Sequence, residues 1–227
     1  MSAQSPMPCA APESPAETRV LSEPTWVYWM CLVSTATWYW LMFRARYEGV
    51  ANIPQRGRVV ILANHQSFLD IPMISTGARK RHVSFVARDS LARSKFMAFI
   101  MRGCGAVLIR RGQPDRAALR EMLAHLEAED ALVIFPEGTR SPDGRVQAFH
   151  GGALLAARLA NAPIIPAGIR GTFEAWPKGA RFPRFRRVAV RFGAPIDSAS
   201  PDALERAHAA IDAMVGDGRF AAVPPSA

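Results

Sequence analysis

Apolar residues along the 227-residue chain fall into short continuous runs separated by segments of helical period. Val59-Val60-Ile61-Leu62-Ala63, Val83-Ser84-Phe85-Val86-Ala87, Ala106-Val107-Leu108-Ile109, Ala131-Leu132-Val133-Ile134, the stretch Pro163 to Ile169, and Val188-Ala189-Val190-Arg191-Phe192 are such runs. Short apolar runs bounded by polar or turn residues predict buried strands. Asp115 to Asp130 carries Leu119, Met122, Leu123 and Leu126 at helical spacing. Helices are also predicted for Leu91 to Met101, for the alanine- and leucine-rich stretch from Gly151 to Asn161, and for Ser200 to Val215, opened by Ser200-Pro201. Strands alternating with helices predict an α/β fold, a single domain with a largely parallel central sheet flanked by helices. No internal repeat is visible.

The N-terminal region departs from this pattern. Residues 1–25 are rich in Pro, Ala, Ser and Glu and predict a flexible tail. They lack the basic start of a signal peptide. Trp26 to Phe43 is then an uncharged run of 18 residues holding Trp26, Trp29, Trp38 and Trp40, with Tyr28 and Tyr39 beside them. As a helix it would be about 27 Å long, at the lower edge for a bilayer span. The aromatics sit at its two ends, as interfacial anchoring favours, and Arg44 and Arg46 follow at once. The expectation is a membrane-anchoring helix over 26–43, either spanning the membrane or lying in its interface, then a domain over 44–216 and a tail over 217–227. The protein would be membrane-associated, its domain on the cytoplasmic face. A core helix is the competing reading, disfavoured because no side of the run carries charge.

Composition narrows the function. A hydrophobic content of 49% excludes global disorder, and 28 basic against 19 acidic residues leave a net charge of +9. That balance suits nucleic acid, anionic lipid or phosphorylated small substrates. Lys178, Arg181, Arg184, Arg186, Arg187 and Arg191 interleave with Phe182, Phe185 and Phe192. Nucleic acid, lipid headgroups or an acidic carrier protein would suit such a stretch; beside an anchoring helix, lipid is favoured. Cys9, Cys31 and Cys104 are widely spaced and fit a reducing compartment. No metal-ligand spacing and no phosphate-cradling glycine motif is present, so no metal or cofactor is expected.

Two stretches carry candidate chemistry. Asn64-His65-Gln66-Ser67-Phe68-Leu69-Asp70 follows one strand and precedes Ile71-Pro72-Met73-Ile74, where a helix can begin. A bend there can fold the Asp70 carboxylate onto the His65 imidazole and leave the other ring nitrogen free as a general base. The same residues equally fit a plain loop histidine and a helix cap. Phe135-Pro136-Glu137-Gly138-Thr139-Arg140-Ser141 follows a second strand. Together these stretches resemble the glycerolipid acyltransferase family: a His, four residues, then Asp, followed in order by a Phe-Pro-Glu-Gly-Thr-Arg block. The resemblance spans roughly residues 45–195.

The resemblance implies transfer of an acyl group from acyl-CoA or acyl-carrier protein to the sn-2 hydroxyl of 1-acylglycerol-3-phosphate, giving phosphatidic acid. His65 would be the base, Asp70 its orienter, and no covalent acyl-enzyme is required. Ser67 lies in no nucleophile elbow and is expected to tighten its loop. Arg140 is the first candidate for the acceptor phosphate, since a guanidinium pairs with phosphate oxygens. Gly138 would let the backbone approach the glycerol, Thr139 belongs to the same block, and Glu137 would bind a hydroxyl or hold Arg140. Arg111 matches the arginine closing the family's second motif, although Arg110 stands where an Asp is usual. Arg88 falls where relatives carry a lysine and suits the same phosphate. Ile165 to Thr172 resembles a fourth motif, expected to shape an acyl channel. His82 and His125 are expected on surface or helix faces, and no role carries over to His150. The implied partners are membrane lipid, lysophosphatidic acid and the acyl donor, with no nucleic acid. Another lysolipid acceptor, such as a lyso-ornithine lipid, or a thioesterase or esterase using water, are the alternatives.

Overall fold

The computed structural model describes residues 24–92, 94–109 and 116–217. Its strands are β1 (Arg46–Glu48), β2 (Val59–Ala63), β3 (Val83–Arg88), β4 (Ala106–Ile109), β5 (Ala131–Ile134), β6 (Ile164–Arg170) and β7 (Ala189–Phe192). Its helices are α1 (Trp26–Trp38), α2 (Asp70–Gly77), α3 (Lys95–Gly103), α4 (Arg116–Glu127), α5 (Gly152–Leu159), the single turn α6 (Thr172–Ala175) and α7 (Ala203–Gly216). The strands form one sheet in the order β1-β7-β6-β2-β5-β3-β4. All pairings are parallel except β6 with β7. Every residue of β2 and β5 is buried, because apolar side chains pack against both faces. On one face lie Tyr39, Phe43, Met73, Ile74, Phe85 and Phe192. On the other lie Leu126, Leu154, Ala157, Ala207 and Ile211.

The sheet decides where the loops meet. Strands β2, β5 and β3 are adjacent and parallel. Their carboxyl ends therefore open on one edge, where ligands bind in open α/β sheets. His65 follows β2, Phe135 to Arg140 follow β5, and Arg88 ends β3.

The expected membrane-anchoring helix over 26–43 is not present. Among the described residues no helix is long and apolar enough to cross a membrane. Helix α1 ends at Trp38, a π-helical turn runs over Tyr39–Phe43, and Arg44 turns left-handed. The run is a packed part of the domain. Thr25 caps α1 and donates to the Gly103 carbonyl at 2.6 Å. Tyr28 stands edge-on to the His82 ring, at 4.7 Å between centroids. Cys31 lies against Cys104, whose thiol burial pushes up to about 12. Tyr39 and Phe43 are buried in the core, and the Tyr39 hydroxyl donates to the Leu69 carbonyl. Val27, Tyr28, Leu32, Tyr39 and Phe43 of the run are interior, whereas Trp26, Trp29, Met30, Val33, Trp40 and Leu41 stay exposed. The membrane-associated placement with the domain on the cytoplasmic face rested on this helix and falls with it.

One smaller expectation also changes. His82 and His125 are interior: both ring Nδ1 atoms face Asp130, at 3.0 and 2.7 Å, and Ser84 Oγ donates to Asp130 at 3.0 Å. That carboxylate, in the turn before β5, is held by His82 and Ser84 at the start of β3 and by His125 on α4. Asp217, first residue of the expected C-terminal tail, pairs with Arg191 at 3.0 Å and accepts from Arg170. Arg110 and Arg111, and the tails over 1–23 and 218–227, lie outside the described residues.

Candidate active site

After β2 the chain is pinned before it turns. Asn64, fully buried, exchanges two hydrogen bonds with the Ile169 backbone, at 3.0 and 2.7 Å, and so extends the β2–β6 ladder by one residue. The loop then closes on one oxygen. Asp70 Oδ2 accepts from the Gln66 N–H at 2.6 Å and the Ser67 N–H at 2.7 Å, and lies 2.9 Å from His65 Nδ1. One carboxylate thus shapes the turn and orients the ring. Asp70 is fully buried, whereas the His65 side chain keeps 18% of its surface. Phe135 stacks on the imidazole at 4.2 Å between centroids. A ring held at Nδ1 presents Nε2 to a proton donor, which is the geometry of a general base.

Ser67 is buried, donates to the Trp176 carbonyl at 2.8 Å and accepts from the Leu69 N–H at 3.3 Å. It is committed to the loop.

The segment after β5 supplies the opposite wall. Gly138 has φ +64°, a left-handed turn that keeps the chain close beneath His150. Its carbonyl accepts from Arg88 at 3.1 Å, tying the ends of β3 and β5. Glu137 points away from the groove described next. It is 3% exposed, and its Oε1 accepts from the His65 N–H at 3.3 Å. Burial pushes its carboxyl up to about 8, against the backbone N–H groups of His65 and Gln147, with Asp70 and Asp143 adding to the rise. Arg140 lies with its guanidinium carbon 3.8 Å above the Phe68 ring. Partial burial and the like charge of Arg88 lower its pKa, while Asp70 acts in the opposite sense.

These residues border one groove of about 390 Å³. His65, Arg88, Gly138, Thr139 and Arg140 line it, together with Phe68, His150 and Lys178. Val86, Ile109, Met122, Ile134 and Ala153 add an apolar lining. The structure therefore brings His65, Asp70, Arg88, Gly138, Thr139 and Arg140 to one place, sets Glu137 behind the wall, and does not describe Arg111. No residue of β6 lines the groove; the expected fourth motif sits in the middle of the sheet, where its buried residues pack the core. Among the described residues no cluster of His, Cys, Asp and Glu could hold a metal ion.

Sequence reasoning missed Phe68, Lys178 and Trp176. The aromatic inside the histidine motif was a visible signal. Lys178 stood out only as part of a basic stretch and Trp176 not at all, because the segment after α6 reaches the site only through folding. Gly171 permits that return: at φ +79° a Cβ there would lie 2.0 Å from the Arg187 carbonyl.

Comparison with known proteins places the chain. It is 29% identical to a chloroplastic 1-acyl-sn-glycerol-3-phosphate acyltransferase of Arabidopsis thaliana, over 71% of this chain and 46% of that protein. It is 28% identical to a lyso-ornithine lipid O-acyltransferase of Pseudomonas aeruginosa, over 63% of this chain and 52% of that protein. The chain thus spans about half the length of the curated relatives it matches. The crystal structure of the 1-acyl-sn-glycerophosphate acyltransferase PlsC from Thermotoga maritima superposes with a TM-score of 0.73 at 28% identity, over 85% of this chain and 81% of that one. A family model described as Acyltransferase matches residues 44–170, more than half of the chain, and the protein belongs to that family.

Proposed function

We propose that the protein transfers an acyl group from acyl-CoA or acyl-carrier protein to the sn-2 hydroxyl of 1-acylglycerol-3-phosphate, giving phosphatidic acid. The observation that carries this reading is the joining, in one groove, of a carboxylate-held histidine with Arg140. The Arg140 guanidinium forms no ion pair with a carboxylate among the described residues, and Arg88 is close enough to lower its pKa. Two neighbouring guanidiniums at a groove suit an anion with paired oxygens, as a phosphate offers. The apolar lining suits an alkyl chain.

In this reading His65 Nε2 takes the proton of the acceptor hydroxyl as its oxygen attacks the thioester carbonyl. The tetrahedral intermediate collapses, the C–S bond breaks, and the imidazolium returns its proton to the leaving sulfur, which departs as a thiol and restores His65. Asp70 stabilises the imidazolium that forms between these steps. Ser67 takes no part, since its hydroxyl is buried and occupied.

A second acceptor has a specific observation behind it, the similarity to the Pseudomonas lyso-ornithine lipid enzyme. A carboxylate headgroup would also suit Arg140. The test is an acyl-transfer assay on the purified protein with 1-acylglycerol-3-phosphate and lyso-ornithine lipid in competition, each donor supplied in turn. Phosphatidic acid is the expected product. Acylation of the lyso-ornithine lipid alone would overturn the first reading in favour of the second, and thioester hydrolysis without transfer would overturn both.

A further inference from the structure

We infer that Phe68 is a positioning residue for the acceptor's anionic headgroup, acting through Arg140; the inference rests on the reading of Arg140 given above. Arg140 stacks on a ring where ion pairing with a carboxylate would be usual. Its guanidinium carbon is 3.8 Å from the Phe68 ring centroid, and no carboxylate pairs with it among the described residues. The face of an aromatic ring is negative by its quadrupole and attracts a guanidinium without using its N–H groups. A carboxylate in that place would occupy those donors and compete with a bound anion. A ring holds the cation and leaves its donors to the ligand.

The ring is itself held. Phe68 is 49% exposed, so packing alone does not fix it. Trp176 braces it edge-on, with centroids 6.2 Å apart at 63°. Trp176 is fixed by its indole N–H on the Ala180 carbonyl at 2.9 Å and by its own carbonyl, which accepts from Ser67 at 2.8 Å. Phe68 also sits between Ser67 and Asp70, on the turn that aims His65. One rigid loop thus sets both the base and the platform for the anion-binding group. A hydroxyl is presented to the base only if the headgroup is held at a matching place, and sharing the loop sets that separation.

The test is steady-state kinetics on purified variants, with 1-acylglycerol-3-phosphate and acyl-CoA varied separately. Phe68→Leu keeps an apolar side chain but removes the ring. It is expected to raise the Michaelis constant for 1-acylglycerol-3-phosphate by about 3- to 10-fold and to leave that for acyl-CoA within about 2-fold, from the strength of a half-buried cation–π contact. Phe68→Tyr retains a ring face and should stay close to wild type. In an Arg140→Ala background Phe68→Leu should add nothing, because the contact is already gone. Thermal melting checks that each variant is folded. An unchanged acceptor constant in Phe68→Leu, while Arg140→Ala raises it, overturns the inference and leaves the reading of Arg140 standing. A full Phe68→Leu effect persisting without Arg140 shows that the ring touches substrate directly and also overturns it. If Arg140→Ala leaves the acceptor constant unchanged, the phosphate reading fails, and the inference with it.

Discussion

Replacing Asp70 in two different ways separates the scaffold from the chemistry. Asp70 Oδ2 serves three partners at once: the N–H groups of Gln66 and Ser67 and the ring of His65. Asp70→Ala removes all three. Gln66 and Ser67 are buried, so water cannot replace the lost acceptor. A buried donor left without a partner costs about 1–3 kcal/mol, so two of them predict roughly 2–6 kcal/mol of lost stability. That is a large part of the total stability of a domain. Asp70→Asn keeps an oxygen that can accept from the same two N–H groups, and the turn should survive. The amide carries no charge, so it does not stabilise the imidazolium. Hydrogen bonds to charged groups contribute about 1.5–3 kcal/mol, against about 1 for neutral ones. Loss of that difference, with any misorientation of the base, predicts a fall in turnover on the order of 10²- to 10³-fold. Urea denaturation and acyl-transfer turnover are measured on the same purified samples. The reasoning requires Asp70→Asn to be folded and slow, and Asp70→Ala to be slow and markedly less stable. An Asp70→Ala protein as stable as wild type would refute the scaffold argument, and wild-type turnover in Asp70→Asn would refute the catalytic one.

Three further outcomes are expected. Arg140→Ala should raise the acceptor Michaelis constant about 10- to 100-fold, the loss of hydrogen bonds to a charged group, with Arg140→Lys recovering only part; equal effects on donor and acceptor would make Arg140 structural. Glu137 holds its proton up to about 8 in the folded protein, whereas the unfolded chain releases it near the ordinary 4.5. The folded state then binds the extra proton, so stability should fall as pH rises from about 4.5 to 8, by roughly 5 kcal/mol if the whole rise is expressed, and level off above. Glu137→Gln should flatten that slope in urea denaturation across the window; an unchanged slope would remove Glu137 as its source. Asp130 is held down at about 2 by His125 and His82 against the cost of its burial. Its contribution to stability, roughly 2 kcal/mol, is present above pH 4 and lost as pH falls from about 4 to 2. Asp130→Ala should cost roughly 3 kcal/mol or more, since His82, His125 and Ser84 each lose an acceptor; a loss below about 1 kcal/mol by denaturation would contradict this.

The apolar runs were legible as strands because β2 and β5, buried on both faces, leave no polar alternation to confuse. His65 and Asp70 follow such a run, where a loop can pair them, but it was the resemblance to the glycerolipid acyltransferase family that marked them and the Glu137 to Arg140 block as candidates. The three-residue β1 escaped notice, as did the antiparallel return of β7 beside β6. A strand as short as β1 has no period to read, and strand direction depends on connections rather than composition.

Local pattern by itself determined the strands and most of the helices, because these follow from side-chain periodicity and turn chemistry within a few residues, while the candidate site residues came from motifs shared with a family. Only the tertiary structure decided what surrounds each of them. The run from Trp26 to Phe43 reads as uniformly apolar, and only the fold shows that Tyr28, Tyr39 and Phe43 pack inside while Trp26, Val33 and Trp40 stay exposed. His82 and His125 become a buried pair only when the start of β3 and the end of α4 meet at Asp130. Glu137 faces the His65 backbone rather than the groove, and Phe68 meets Arg140 across 72 positions of sequence. Burial and pairing are set by neighbours far along the chain, and no local pattern records which neighbours the fold will bring.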